Sequence, residues 1–582
     1  MKNVFYILLI FTTLFIGCQD DLSKEAPFLS EESVFEEEAL TEASIAALYS
    51  SFRFMELGGG SNNNLGLISN MGGEYTNFAP WQVSAGAVSR TYSAETGSGA
   101  LGYWGYGTLR SLNVFIDGVQ TSSSFSQEYI NTKLSEARFL RAYLYFEMAK
   151  RYGGVPIILK AQNIDDPQDE LYPARNTEKE VYDLIYSELE DIKAIATTSK
   201  TGAFGQVDLY TIISLQSRAM LYAASIANFG EVKIDGLVGI PAADATSYYQ
   251  KSYNASKELM DSGKFSLFNK YADKVDNFSK LFLEEGDSGN PEIIFAEVFE
   301  PYTHGHGLDV LGTPDGFLTT WNSNFPVNYD IVEQFEFMDG RPDIERSELT
   351  ASARWDVDDF FGNRDPRLRA SIFYPESIYQ GQTVYFHVFS VVDGKNIKSG
   401  NVTNIHGEEI PALGPKRLIK KSGLLLRKKL DLGTYEALEG ASGQDMYVFR
   451  YGETLLNHAE AAFYLNKNTE ASASINELRE RAGMFTKASV TEADIRRERQ
   501  VELAFEDHRY WDVIRWRIAS TDLNKAKKGC IFKYYPQEDK YSIVLKNDII
   551  GNKRLFGEER YYLPISTYIM ADNPKILQNP GY

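Results

Sequence analysis

The segment QEYINTKLSEARFLRAYLYFEMAKRYGG, Gln127 to Gly154, sets Ala137, Leu140, Leu144 and Met148 on one face at a helical period and stops at two glycines. A helix of this kind must bury its apolar face, and the chain supplies partners for it. The same period recurs in DLYTIISLQSRAMLYAAS, through Ile212, Leu215, Ala219, Tyr222 and Ile226, and in YGETLLNHAEAAFYL, through Leu456, Ala459 and Phe463. Helices are expected in neighbouring pairs, roughly 108–119 with 127–152, 176–197 with 208–228, and 448–467 with 469–482. Small Ala-rich faces at this spacing predict stacked helical hairpins of the tetratricopeptide kind. Between about 263 and 445 the pattern changes to Gly, Pro, Asn and aromatic residues around short apolar runs such as EIIFAEV and TVYFHVF. That stretch predicts a loop-rich, strand-containing insert in a mainly α fold. The helical repeat regions lie at about 40–262 and 446–520.

The N-terminus, MKNVFYILLIFTTLFIGC, has one early Lys and an apolar run shorter than the ~20 residues a membrane-spanning helix needs, so 1–17 reads as a signal peptide. Gly17-Cys18 resembles the lipobox at which bacterial lipoproteins are cut and acylated on cysteine, although Phe15 stands where that pattern prefers Leu. Cys18 is therefore the expected lipidation site. Gln19-Asp20-Asp21 resembles the acidic signal that sends lipoproteins of Bacteroidetes to the outer face of the outer membrane. The acidic residues 18–38 then form a tether. The only other cysteine is Cys530, expected as a packed thiol. With 80 Asp+Glu against 59 Lys+Arg the formal charge is -21, which repels phosphate backbones and excludes nucleic acid as a ligand. The abundance of Tyr, Phe, Asn and Gly suits stacking and hydrogen bonding to neutral ligands.

The run RRERQVELAFEDHRYWDVIRW, Arg496 to Trp516, is the most charged part of the chain. Thr491 with Asp494 three residues on approximates a capping box, so the run is expected to be helical, with Val501, Phe505 and His508 as one stripe. Glu498, Glu502 and Glu506 recur every four residues and would repel one another. Local pairs offset this: Arg499 with Glu502, Glu506 with Arg509, and Asp512 with Arg509 and Arg515. Each carboxylate thus has a basic neighbour that holds it ionised, which argues against an acid catalyst.

This run, from Glu498 to Trp516, resembles the C-terminal hallmark of the SusD/RagB family of Bacteroidetes outer-membrane lipoproteins. SEARFLRAYLYFEMAKRYGGVPI from Ser135, NPEIIFAEV from Asn290, AEAAFYL from Ala459, INELRERAG from Ile475 and the closing YYLPISTYIMADNPKILQNPGY agree with it. Ser566 replaces a usual Pro, and Asp507 stands where the family commonly has Gly. The resemblance implies a single SusD-like domain over 39–582 with tetratricopeptide-like helical pairs, and a non-catalytic, nutrient-binding lipoprotein. Its implied partners are a SusC-like TonB-dependent transporter, the outer membrane through the lipid, and an oligosaccharide or polysaccharide. A RagB-like peptide receptor, a surface glycoside hydrolase and a helical scaffold without a small ligand stand as alternatives.

Sugar rings expose C–H faces that stack on aromatic planes, while their hydroxyls need amide and charged side chains at the rim. NMGGEYTNFAPWQ supplies Tyr75, Asn77, Phe78 and Trp81, and GFLTTWNSNFPVNYD supplies Trp321, Asn322 and Phe325. Both segments match in approximate position those where family members carry binding aromatics. Trp104 is expected to be structural. His304-Gly305-His306 with Asp309 is too sparse for a metal centre, and no cofactor is expected; bound Ca²⁺ leaves no contiguous signature to test.

Overall fold

The long helices begin and end where the sequence punctuates them. In the computed structural model, which describes residues 31–52, 54, 67–76, 101–198, 205–285, 289–318, 322–433, 437–547 and 555–582, they are α1 (Glu38–Ser50), α2 (Tyr106–Thr121), α3 (Gln127–Tyr152), α4 (Glu178–Lys193), α5 (Leu209–Phe229) and α6 (Ala245–Asp261). Ser126 caps α3 by accepting the Tyr129 N–H, Thr177 and Glu180 form a reciprocal capping box on α4, and Asp208 caps α5. At the end of α3, Gly153 adopts φ +75°, and a Cβ on Gly154 would lie 2.0 Å from the Asn176 carbonyl oxygen. Only glycine lets the chain turn this tightly against the loop before α4.

Each helix packs on the next, α2 on α3, α3 on α4, α4 on α5 and α5 on α6. The C-terminal helices α7 (Tyr451–Tyr464) and α8 (Asn468–Ala482) pair in turn, and α7 lies on α6. The predicted hairpins therefore join into one layer across some two hundred intervening residues. Burial of α3 is almost all-round, so its polar side chains are paired: Arg141 donates to Glu188 at 2.6 Å. No helix among the described residues is long and apolar enough to cross a membrane.

Between the two helical regions the chain forms short strands. β1 (Ile293–Glu297), from the EIIFAEV run, pairs antiparallel with β4 (Met446–Arg450), which leads directly into α7. β2 (His387–Val392) and β3 (Lys395–Ile397) join β5 (Lys528–Tyr535) and β6 (Lys540–Asn547) in a sheet ordered β6-β5-β2-β3, in which only the β5–β2 pair is parallel. TVYFHVF is thus split, its first residues lying outside the strand that begins at His387.

Two expectations change. The tether read over 18–38 is folded in its last part: Glu31–Val34 is helical, the Phe35 ring meets Phe115 edge-on at 5.7 Å, and Ser122 Oγ donates to the Phe35 carbonyl at 2.7 Å. The charged run is not one helix either. α9 (Glu492–Glu502) starts at the expected Thr491–Asp494 capping box but stops, and α10 (Arg509–Arg515) begins after a turn in which Phe505 and Asp507 have φ +61° and +62°. The stripe Val501–Phe505–His508 does not form. Position 507 needs the left-handed region that glycine adopts freely; here Asp507 occupies it and accepts hydrogen bonds from Ser69 N and Oγ at 2.9 and 2.7 Å.

Candidate functional site

The charged run lies in the core, and its partners come from distant parts of the chain. Arg450, at the end of β4, uses all five guanidinium donors: Nε on Glu506, Nη1 on Glu292 and Glu502 at 2.7 Å each, and Nη2 on Glu506 and the Glu502 carbonyl. Glu502 also meets Arg367 and Arg481, and Glu498 lies between Arg367 at 2.6 Å and Arg479 at 3.1 Å. Arg499 binds Asp512 rather than Glu502, and Arg509 binds Asp522 rather than Glu506 or Asp512; only the Asp512–Arg515 pair is as expected, at 3.0 Å. The local ladder is replaced because the break after Glu502 turns these groups toward β4, α7 and α8.

Burial raises the Glu506 carboxyl, but Arg450 and Lys428 outweigh it and hold it at about 2; burial and the opposing Arg218 charge leave Glu453 at about 2 as well. Burial also opposes ionisation of Glu502, and Arg481, Arg450 and Arg367 together hold it well below the usual carboxylate range. Carboxylates fixed as anions and shut from solvent cannot protonate a leaving group, so this network is structural. Trp511 and Trp516 are buried beside it, Trp516 donating to Glu460 at 2.8 Å.

The two predicted ligand segments meet at their roots. Tyr75 pairs antiparallel with Val327, Thr76 N donates to the Pro326 carbonyl at 2.9 Å, and Asn328 N donates to the Glu74 carbonyl at 3.0 Å. Asn77, Phe78, Trp81 and Trp321 lie outside the described residues, as does Cys18. The three described candidates are corrected from contact residues to packing residues. Tyr75 and Phe325, each 2% exposed, meet edge to face at 5.3 Å, and Phe505 stacks on Tyr75 at 6.0 Å, so both rings are taken up by packing. Asn322 is fully buried, its Oδ1 accepting from Arg417 Nη1 at 3.0 Å. Composition could not separate such rings from exposed ones, because a half-apolar loop needs an aromatic base as well as an aromatic tip.

That base has polar members the sequence reading missed. Asp315 N donates to Ser323 Oγ at 2.8 Å, Ser323 N to the Thr313 carbonyl at 2.9 Å, and Arg417 N to Asp315 Oδ2 at 2.9 Å. Lys421 Nζ donates to the Ser323 carbonyl, and burial with the neighbouring Arg417 brings its ammonium down to about 7. The signal was the basic run Lys416-Arg417 to Lys420-Lys421 in an acidic chain. On the other segment Glu74 accepts from Phe505 N at 3.2 Å while its Oε2 has no hydrogen-bond partner among the described residues, and burial pushes it up to about 8.

The two histidines are engaged by packing and backbone hydrogen bonds. His306 Nε2 bonds the Gln444 carbonyl at 3.0 Å and its Nδ1 accepts from Leu308 N, Asp309 is held by Gln444, and His304 stacks on Phe299. Among the described residues there is no group of three or more His, Cys, Asp or Glu able to hold a metal ion. Trp104 packs on Tyr106 and Tyr152, as expected of a structural ring.

A layer of helical hairpins carrying a strand-containing insert, with an aromatic segment of the insert paired at its root to one from the N-terminal helical region, defines the class. Residues 291–582 match the model of the SusD family, and residues 77–202 match one described as starch-binding associating with outer membrane. The chain belongs to the SusD family. It is similar to a SusD-like protein of Bacteroides ovatus, at 24% identity over all of this chain and 97% of that one, and to the SusD-like protein P38 of Formosa agariphila, at 22% over 82% and 78%. The fold matches a SusD-like protein of Bacteroides fragilis with TM-score 0.72 and 21% identity over 95% of this chain and 99% of that one. A SusD-like carbohydrate-binding protein of the same organism matches with TM-score 0.69 and 19% identity, over 93% and 99%.

Proposed function

We propose that this chain is a cell-surface glycan-binding lipoprotein that captures oligosaccharide or polysaccharide and passes it to a SusC-like TonB-dependent outer-membrane transporter. The observation that supports the reading is the Tyr75–Val327 pairing, which brings the described ends of the two predicted segments together beside the packed rings of Tyr75 and Phe325. In this reading Trp81 and Trp321 are the stacking platforms, Phe78 and Asn77 flank them, and Tyr75, Phe325, Asn322, Arg417 and Lys421 hold the roots. The family description of outer-membrane association and a fold relative described as a carbohydrate-binding protein support it. Cys18 carries the lipid, and the protein faces outward. Binding needs no cofactor and involves no bond cleavage, in keeping with the locked carboxylates of the charged run.

An affinity-gel panel of neutral polysaccharides tests the reading. Retention on at least one glycan is expected, with a loss on the order of 0.5–1.5 kcal/mol of affinity in Trp321→Ala, the worth of one stacked aromatic. Binding to peptides and to no glycan would replace it with a peptide receptor. Cys18→Ser is expected to abolish acyl labelling.

A further inference from the structure

The four-stranded sheet turns one face outward, and that face carries a charge opposite to the chain's balance. Along β5 the rings of Phe532 and Tyr534 point into the core, while Lys533 and Tyr535 alternate outward and are half-buried. In β2 the half-buried Phe389 neighbours Lys533, and Lys398 follows the end of β3. These three side chains form a row across the sheet: the Lys533 ammonium lies 5.4 Å and the Lys398 ammonium 5.5 Å from the Phe389 ring centre. β6 adds Lys540 opposite Tyr535, and the Arg354 guanidinium stacks 3.4 Å from the Tyr535 ring.

The nearby acids are engaged elsewhere. Asp539 accepts from Tyr534 Oη at 2.6 Å and faces His406 at 3.3 Å, and Glu538 faces Arg354 at 3.6 Å. Among the described residues Lys398, Lys533 and Lys540 form no ion pair with a carboxylate. A chain of net charge -21 repels polyanions except where cations gather without internal partners, and here they gather around an aromatic ring. A ring flanked by two ammoniums suits a sugar that stacks its C–H face while its carboxylate or sulfate reaches a lysine.

We propose that this sheet face is a second glycan-binding site, separate from the loop roots, and that it takes an acidic polysaccharide bearing uronate or sulfate groups. The proposal rests on the glycan-binding reading above, whose site it extends to a charged substrate class.

The test uses the detergent-solubilised full chain in affinity gels containing polygalacturonate, dextran sulfate or neutral dextran. The expected result is retardation by at least one of the two anionic polymers, weakened as NaCl is raised because exposed charges are screened. Binding should fall about tenfold or more in Lys398→Gln/Lys533→Gln, return in Lys398→Arg/Lys533→Arg, and fall about threefold in Phe389→Leu, all with unchanged thermal unfolding. Trp81→Ala/Trp321→Ala separates the two sites: it should abolish neutral-glycan binding and leave the anionic polymer bound. Unchanged anionic binding in the lysine double variant would overturn the proposal while leaving the loop reading intact. Equally tight, lysine-dependent binding to phosphatidylglycerol vesicles or to DNA would also overturn it, since the face would then read charge and not sugar.

Discussion

Arg450 and Lys533 show how one chain uses its cations in two ways. Arg450 is 2% exposed and every donor it has is taken by a carboxylate or carbonyl brought from more than fifty residues away. Lys533 stands on a sheet face beside Phe389, without a carboxylate partner among the described residues. Burial makes the difference. A buried charge must be matched inside the protein, at a desolvation cost that only several good partners offset, whereas a half-exposed one is hydrated and remains available to a ligand. The most conspicuous charges in the sequence are therefore the ones that hold the fold, and less conspicuous ones are open to binding.

The largest effect should come from breaking the buried set. Arg450→Met leaves Glu292, Glu502 and Glu506 short of a partner in the core, and a loss of about 3–5 kcal/mol is expected in urea unfolding. Acid should act on the same network. Glu506 and Glu453 have folded values of about 2 against about 4.3 for an unfolded glutamate. Their contribution is present above about pH 4.3 and is lost as pH falls toward 2, so the urea midpoint should drop steeply between pH 4 and 3. A midpoint flat over that interval would mean that the carboxylates are not held as the geometry indicates.

Glu74 sharpens the comparison from the other side, because it is a buried acid whose Oε2 has no hydrogen-bond partner among the described residues, and burial keeps it neutral up to about pH 8. Its folded value of about 8 lies above the unfolded one, so the stability it contributes is fully present below about pH 4.3 and is lost as pH rises through 8. Glu74→Gln keeps the shape without the charge. Relative to wild type its stability should rise by about 1.4 kcal/mol for each pH unit between pH 5 and 8. A gain independent of pH would assign the effect to packing.

These contrasts also mark what could be read from sequence. Helices α3, α5 and α7 were legible because an apolar face repeats with the helix period and Gly153 stops the longest of them. The Thr491–Asp494 cap was legible because it is local. The partners of Glu502 and Arg499 were not, since spacing along one helix cannot reveal side chains on β4, α7 or α8, or Asp512 beyond a break in the helix. The break at Phe505 and Asp507 was hidden because Phe rarely takes positive φ, with the family's glycine at 507 and the αL tolerance of Asp as its signals. For the site, the aromatic clusters were visible in the sequence, but composition could not tell that Tyr75 and Phe325 would be buried, because a packed ring and an exposed one have the same chemistry. The sheet face left little trace in KGCIFKYY, where Lys533 is a single basic residue among aromatic ones, and its meaning depends on Phe389 of β2 and on Lys398 just beyond β3, more than a hundred residues earlier.

The smallest expected effect is on the stability of the sheet face, and its smallness is the informative part. If Lys398 and Lys533 serve only to cover Phe389 with their alkyl stems, replacing both with the shorter Gln uncovers the ring and should cost stability as it changes binding. If they are held for a ligand, the free protein loses little: unfolding free energy should shift by less than about 0.5 kcal/mol, the range of ordinary surface substitutions. Measured beside Arg450→Met, the double variant should therefore invert the pattern, with near-native stability and lost anionic binding. A loss of stability above about 1 kcal/mol would place these lysines with the core cations, serving the fold, and would remove the contrast between the two regions.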